Sequence, residues 1–153
     1  MTKSNPMNME KMLDIVKRLN FFSQFTEFER KAILFNNTET CVFKENERII
    51  LKGEFDAALF ILLAGKAKVT LDDTDKSVAT LEPGDIFGEM SFLTDAARTT
   101  NIIALDDVVA LKIDNAVLGK LSVEIRERIK DKVIERLIER ITKMNKQVLS
   151  YTF

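Results

Sequence analysis

Histidine is absent from all 153 residues, and that absence removes much of the chemistry open to a small protein. A serine or cysteine nucleophile would lack its usual base. Metal centres built on histidine, as small β-barrel enzymes use, are excluded as well. Enzyme activity is therefore not expected. Cys41 is the single cysteine, so no internal disulfide can form, and a cytoplasmic setting is the default expectation. Residues 1–8 contain no apolar run and do not read as a signal peptide. No stretch is long and apolar enough to span a membrane. Basic excess is missing too: the net charge of −1 leaves no overall electrostatic footprint for nucleic acid.

What is present fits one globular domain with a proper core: 46% of residues are hydrophobic and 31% charged. The most informative stretch is 83–100, PGDIFGEMSFLTDAARTT. Pro83-Gly84 signals a turn. Gly88 can take a positive φ and allows close approach to its backbone. Residues 89–93 can form one helical turn, whose first amides favour an anion. Arg98 carries a planar fork of donors that matches a phosphate. Glu89, when ionised, only accepts, so its natural partners are hydroxyls or cations. Anion donors at one end and a carboxylate at the other suit a sugar phosphate.

Phe87-Gly88-Glu89 followed by Arg98, nine residues after the Glu, resembles the phosphate-binding cassette of cyclic nucleotide-binding domains. Further likeness lies in the order Gly53-Glu54-Phe55-Asp56, Leu59-Phe60-Ile61-Leu62 and Gly65-Lys66-Ala67-Lys68-Val69, and spans roughly 21–121. The resemblance implies that Glu89 takes the ribose 2′-hydroxyl and Arg98 the cyclic phosphate. It implies that amides after Gly88 and Arg98, at Met90, Ser91 and Thr99, also reach the phosphate. Ala97 stands where the family usually has proline. A Thr directly after the Arg is often seen in family members that accept cGMP, whereas bacterial regulators with Ser there bind cAMP. The expected ligand is cAMP, with cGMP second; no other cofactor and no metal is expected.

Taken in order, residues 10–19 carry Met12, Leu13, Val16 and Leu19 as a helical stripe. Phe21, Phe22, Phe25 and Phe28 read as core. Thr26 with Glu29 is a capping box. It opens a helix to about Leu34 with Phe28, Ala32, Ile33 and Phe35 to bury, ended by Asn36-Asn37. Strands are expected at 40–43, 48–52, 59–63, 66–71, 77–81, 99–105 and 108–113. The strand 59–63 is apolar on both faces. In 66–71, Ala67, Val69 and Leu71 point inward and Lys66, Lys68 and Thr70 outward. The acids of 72–75 lack a calcium loop's spacing and terminal Glu, and read as a hairpin turn. Short strands at close spacing argue for a sandwich or jelly roll. The expected fold is mainly β with flanking α: an eight-stranded jelly-roll barrel with N-terminal helices and a long C-terminal helix. The expected divisions of this single domain are 1–37 helical, 38–113 β-barrel with the cassette 83–100, and 114–149 helical.

Asp114 or Asn115 can cap the next helix. Leu118, Leu121, Ile125 and Ile129 continue an apolar stripe. Ile134, Leu137, Ile141, Met144 and Val148 then make a heptad seam widened by Val133 and Ile138. From 124 to 149 a straight helix runs about 39 Å, beyond a small domain's width. A homodimer through this helix is the expected cover. The resemblance to dimeric transcription regulators implies that the same helix lies over the base, with Arg140, Thr142 and Met144 as contacts. Their DNA-reading helix-turn-helix is not expected in this chain. The resulting reading is a nucleotide sensor that signals by helix movement. Its alternatives are a structural or protein-interaction jelly roll that binds no nucleotide, and a transcription regulator lacking its DNA-binding part.

Overall fold

A computed structural model describes residues 2–3, 9–35, 39–71 and 76–152. The expected turn at 72–75 and the helix stop at Asn36-Asn37 lie outside the described residues. The chain forms two compact units, Met1–Leu121 and Ser122–Phe153.

The first unit opens with strand β1 (Thr2–Lys3), helix α1 (Met9–Val16), a 3-10 turn (Asn20–Phe22) and helix α2 (Glu27–Phe35). The strands β2 (Glu39–Phe43), β3 (Arg48–Ile50), β4 (Leu59–Ala64), β5 (Ala67–Thr70), β6 (Ala79–Leu81) and β7 (Ile86–Phe87) follow. Helix α3 (Glu89–Thr94), strands β8 (Asn101–Ala104) and β9 (Val108–Ile113) and helix α4 (Asn115–Gly119) complete it. The second unit is helix α5 (Val123–Thr152).

Mainly-β with flanking helices is what the sequence led us to expect. The ladders, however, draw two open sheets and not one closed eight-stranded barrel. One sheet runs β1-β2-β9-β4-β7 and the other β3-β8-β5-β6. Strands β1 and β7, each two residues long, carry too little pattern to be read from sequence. Between the sheets lies a core that includes Phe43, Ile50, Phe60, Leu62, Leu81, Phe87, Ile102 and Val108. Leu59, Ile61, Ile86, Leu111 and Ile113, on the opposite face of the β9-β4-β7 sheet, are buried as well. Strand β4 is thus apolar on both faces because both are covered.

Local signals set the ends of the elements. The Thr26 amide donates to Glu29 Oε1 at 2.9 Å and the Glu29 amide to Thr26 Oγ1 at 3.1 Å, a reciprocal capping box. Asp114 Oδ1 accepts from the Val117 amide at 2.9 Å, which makes Asp114 the cap of α4. Ser122 Oγ accepts from the Ile125 amide at 3.3 Å at the start of α5, a cap the sequence reading missed. Phe21, Phe22 and Phe25 form one edge-to-face and tilted ring cluster with centroids 5.1–6.1 Å apart.

Four expectations of burial fail. Phe28 and Phe35 are 79% and 56% exposed. They lie seven residues apart on one face of α2, while Ile33 and Leu34 occupy the buried face. Leu71 is exposed and Thr70 buried, the reverse of the expected alternation. Strand β5 ends at Thr70, opposite Asn101, so Leu71 has left the ladder. The outer part of the strand expected over 48–52 is likewise a turn, since β3 ends at Ile50 after a register shift.

The capping box and the exposed phenylalanine make opposite predictions on one helix. Thr26→Ala should lower stability by about 1 kcal/mol. Phe28→Ser, on the solvent side, should change it by less than about 0.5 kcal/mol. Urea unfolding followed by circular dichroism reads both.

Candidate functional site

The site is built where β7 leaves its sheet. Phe87 and Ile86 pair with Phe60 and Ile61 of β4, and the Phe60 and Phe87 rings stack at 5.2 Å. Gly88 then turns left-handed at φ 78°, and α3 begins at Glu89. A Cβ on Gly88 would stand 2.6 Å from Arg98 Nη1 and 2.9 Å from the Ala58 carbonyl oxygen. Glycine is required here twice, by its backbone angle and by the crowding around it. Helix α3 ends at Asp95, also left-handed at φ 56°, whose amide donates to the Ser91 carbonyl at 2.9 Å.

Arg98 is the centre of the arrangement. Its residue is only 4% exposed. Nη1 donates to the Gly88 carbonyl at 2.9 Å and Nη2 to the Ala58 carbonyl at 2.8 Å. The backbone is fixed as firmly: the Arg98 amide donates to Glu54, and the Gly53 amide donates to Arg98, both at 2.8 Å. Burial pulls the guanidinium below its ordinary range, and the nearby Asp56 carboxylate opposes that shift. An arginine remains charged under either influence. A buried permanent cation is costly unless anions or dipoles compensate it. Here the compensation is two carbonyls and the Asp56 carboxylate, whose Oδ2 lies 3.6 Å from Nη2, with the Glu54 charge adding to it.

That carboxylate is shared. Lys112 Nζ lies 3.7 Å from the same Asp56 Oδ2. Both cations also sit over the Phe60 ring, each 5.9 Å from its centroid. Neither Asp56 nor Lys112 was singled out by the sequence reading. Asp56 entered that reading only as part of the Gly53-Glu54-Phe55-Asp56 likeness, with no role of its own. Lys112 did carry a signal: it is the single charge in VVALKI, on the same parity as the core residues Val108 and Ala110.

Of the residues expected to act together, Gly88, Glu89, Ser91 and Arg98 fall in one segment around α3. Glu89 and Ser91 are buried, at 6% and 2% exposure. Met90 and Thr99 are exposed. Arg140, Thr142 and Met144 belong to α5, where Thr142 Oγ1 donates to the Ile138 carbonyl at 2.9 Å. Among the described residues no group of acids and cysteine has the makings of a metal site. No helix of the described residues is long and apolar enough to cross a membrane. Chemically, the arrangement offers a fixed cation, fresh helix amides and a buried carboxylate, which is equipment for binding an anionic, hydroxyl-bearing molecule.

Gly88→Ala should prove costly, because the added methyl meets Arg98 and a backbone carbonyl while straining φ. We expect a loss of about 1–3 kcal/mol in stability, read as a fall in thermal midpoint. A variant that melts with the parent would show that the crowding is relieved without cost.

The family model described as cyclic nucleotide-binding domain matches residues 40–123, more than half of the chain. A cGMP-dependent protein kinase of Plasmodium berghei is 30% identical over 136 residues, covering 84% of this chain and 15% of that protein. A cAMP-dependent protein kinase regulatory subunit of Colletotrichum orbiculare is 29% identical over 108 residues, covering 71% and 27%. The chain thus spans less than a third of these two relatives. Among solved structures, a cyclic nucleotide-binding domain from Methylobacillus flagellatus superposes with a TM-score of 0.77 at 19% identity, covering 94% of this chain and 84% of that one. With the family's model matched over residues 40–123, from β2 past β9, this chain belongs to the cyclic nucleotide-binding domain family.

Proposed function

We propose that this chain is a sensor module that binds a cyclic nucleotide through the 88–99 segment and signals through α5, with no catalytic step of its own. The observation that carries the reading is Arg98: a buried guanidinium held by two carbonyls beside a helix start. In this reading Arg98 anchors the cyclic phosphate, and the amides of Met90, Ser91 and Thr99 add neutral donors. Glu89 accepts from the ribose 2′-hydroxyl. The eight strands β2–β9 fall into two four-stranded sets, which supports a jelly roll closed by packing and not by hydrogen bonds. A cytoplasmic setting is part of the proposal.

Calorimetric titration tests the assignment. Arg98→Ala should weaken binding by about 2–5 kcal/mol, since the phosphate loses its charged partner in a partly dry site. Glu89→Gln should cost about 1–3 kcal/mol, the loss of one charge-assisted bond. If both variants titrate like the parent, the assignment is wrong. For the base we propose cAMP, with cGMP second. A cGMP affinity a hundredfold above that for cAMP reverses the order.

The signalling part rests on α5. Ile134, Ile138, Ile141 and Met144 are exposed, and Leu137 is half-buried. The expected Val148 contact lies outside the described side chains. An apolar seam of this length in solvent supports a parallel homodimer. A tenfold preference for one helix position needs only about 1.4 kcal/mol of differential ligand binding. Light scattering should give a dimer at micromolar concentration, converted to a folded monomer by the pair Leu137→Glu and Ile141→Glu. A monomeric parent, with and without cAMP, would sink the dimer.

A further inference from the structure

Lys112 has no role in the reading above, and its placement is unusual. In the sheet it lies in register between Glu39 of β2 and Phe60 of β4, with Phe87 of β7 next in the row. Antiparallel partners in register point to the same face. That face holds Val108, Ala110, Phe60, Leu62 and Phe87, the core between the sheets. A lysine there is expensive unless something compensates the charge. The Lys112 side chain is 21% exposed, and its ammonium meets Asp56 Oδ2 at 3.7 Å.

Asp56 is therefore divided. One of its oxygens stands 3.6 Å from Arg98 Nη2 and 3.7 Å from Lys112 Nζ. That oxygen is ion-paired with both cations at nearly equal distance, while Asp56 Oδ1 accepts from the Ala58 amide at 3.2 Å. The shared oxygen keeps the two cations within one Debye length, about 8 Å at physiological salt. Asp56 lies between them and offsets their mutual repulsion. The Phe60 ring face stabilises both but cancels neither.

We propose that Lys112 is a positioning residue of the anion site, which draws Asp56 off Arg98 so that the guanidinium presents an uncancelled charge to an incoming phosphodiester. This rests on the assignment of Arg98 as the phosphate anchor. The physical sequence is short. An anion arriving at Arg98 repels Asp56. Asp56 shifts its weight to Lys112 without being left unpaired. Without Lys112, Asp56 pairs with Arg98 alone, and each ligand must displace it. Glu39 is the other carboxylate in register with Lys112, one strand away.

The test is a titration of cAMP into the full chain at low and high sodium chloride. Lys112→Met should weaken binding about 3- to 10-fold at low salt and flatten the salt dependence, because a charge near the phosphate is gone. Lys112→Gln, with a polar end, should behave in the same way, should the methionine variant fold poorly. Lys112→Arg should return affinity to within about twofold of the parent. In an Asp56→Asn background the effect of Lys112→Met should shrink, since there is no carboxylate left to draw away; additivity would deny the coupling through Asp56. Parent-like affinity and salt dependence in both neutral variants overturns the proposal. A parent that binds no cAMP or cGMP, while melting cooperatively, instead overturns the function on which it rests.

Discussion

The first unit depends at its site on how a permanent positive charge is kept out of water. Arg98 cannot lose its proton, so every neighbour must accommodate it. Gly88 accommodates it by lacking a side chain and turning its carbonyl toward Nη1. Ala58 offers the carbonyl just ahead of β4. The turn at Gly53–Glu54 holds the backbone in a two-way exchange of hydrogen bonds. Two stretches of chain, 53–58 and the turn at Gly88, thereby converge on one guanidinium. The same convergence makes the position suited to a ligand anion, since a cation already paid for in folding needs little reorganisation on binding.

The sheets explain why the convergence is stable. Strand β4 is apolar on both faces and central in its sheet, with β9 on one side and β7 on the other. It carries Phe60 beneath both cations, stacked on Phe87 of β7. The charged cluster thus rests on a rigid aromatic floor and not on a loop. Asp56, in the approach to β4, and Arg98, between α3 and β8, come from irregular chain, while Lys112 lies in β9.

How much of this was readable in the sequence follows from the range of the interactions. The spacing of Gly88, Glu89 and Arg98 is local, and so are the Thr26 and Asp114 caps; each was legible. Strand β4 was legible because continuous apolar character has few other meanings at that length. Phe28 and Phe35 misled because a helix tells its faces apart only by what packs on them, and aromatic content alone does not say which face is inward. Leu71 misled because alternation holds only while the ladder lasts. Asp56 and Lys112 meet across 56 residues of chain through the register of β4 against β9, and no local pattern announces such a meeting. The parity of Lys112 could have raised the question, but only the fold names its partner.

Helix α3 is bracketed by two left-handed residues, Gly88 and Asp95. Such a segment is a cartridge of fixed length. Its two ends reverse the chain direction at set points, and Arg98 must then reach back to Gly88 while its backbone meets Gly53 and Glu54. Substitutions on the exposed side of the cartridge, at Met90 or Leu93, leave this closure intact. Insertions and deletions do not, since one residue more or fewer rotates everything beyond it by about 100° of helix. The segment is consequently free to drift in composition and frozen in length, and chains descended from this one should differ here by replacement far more than by gaps.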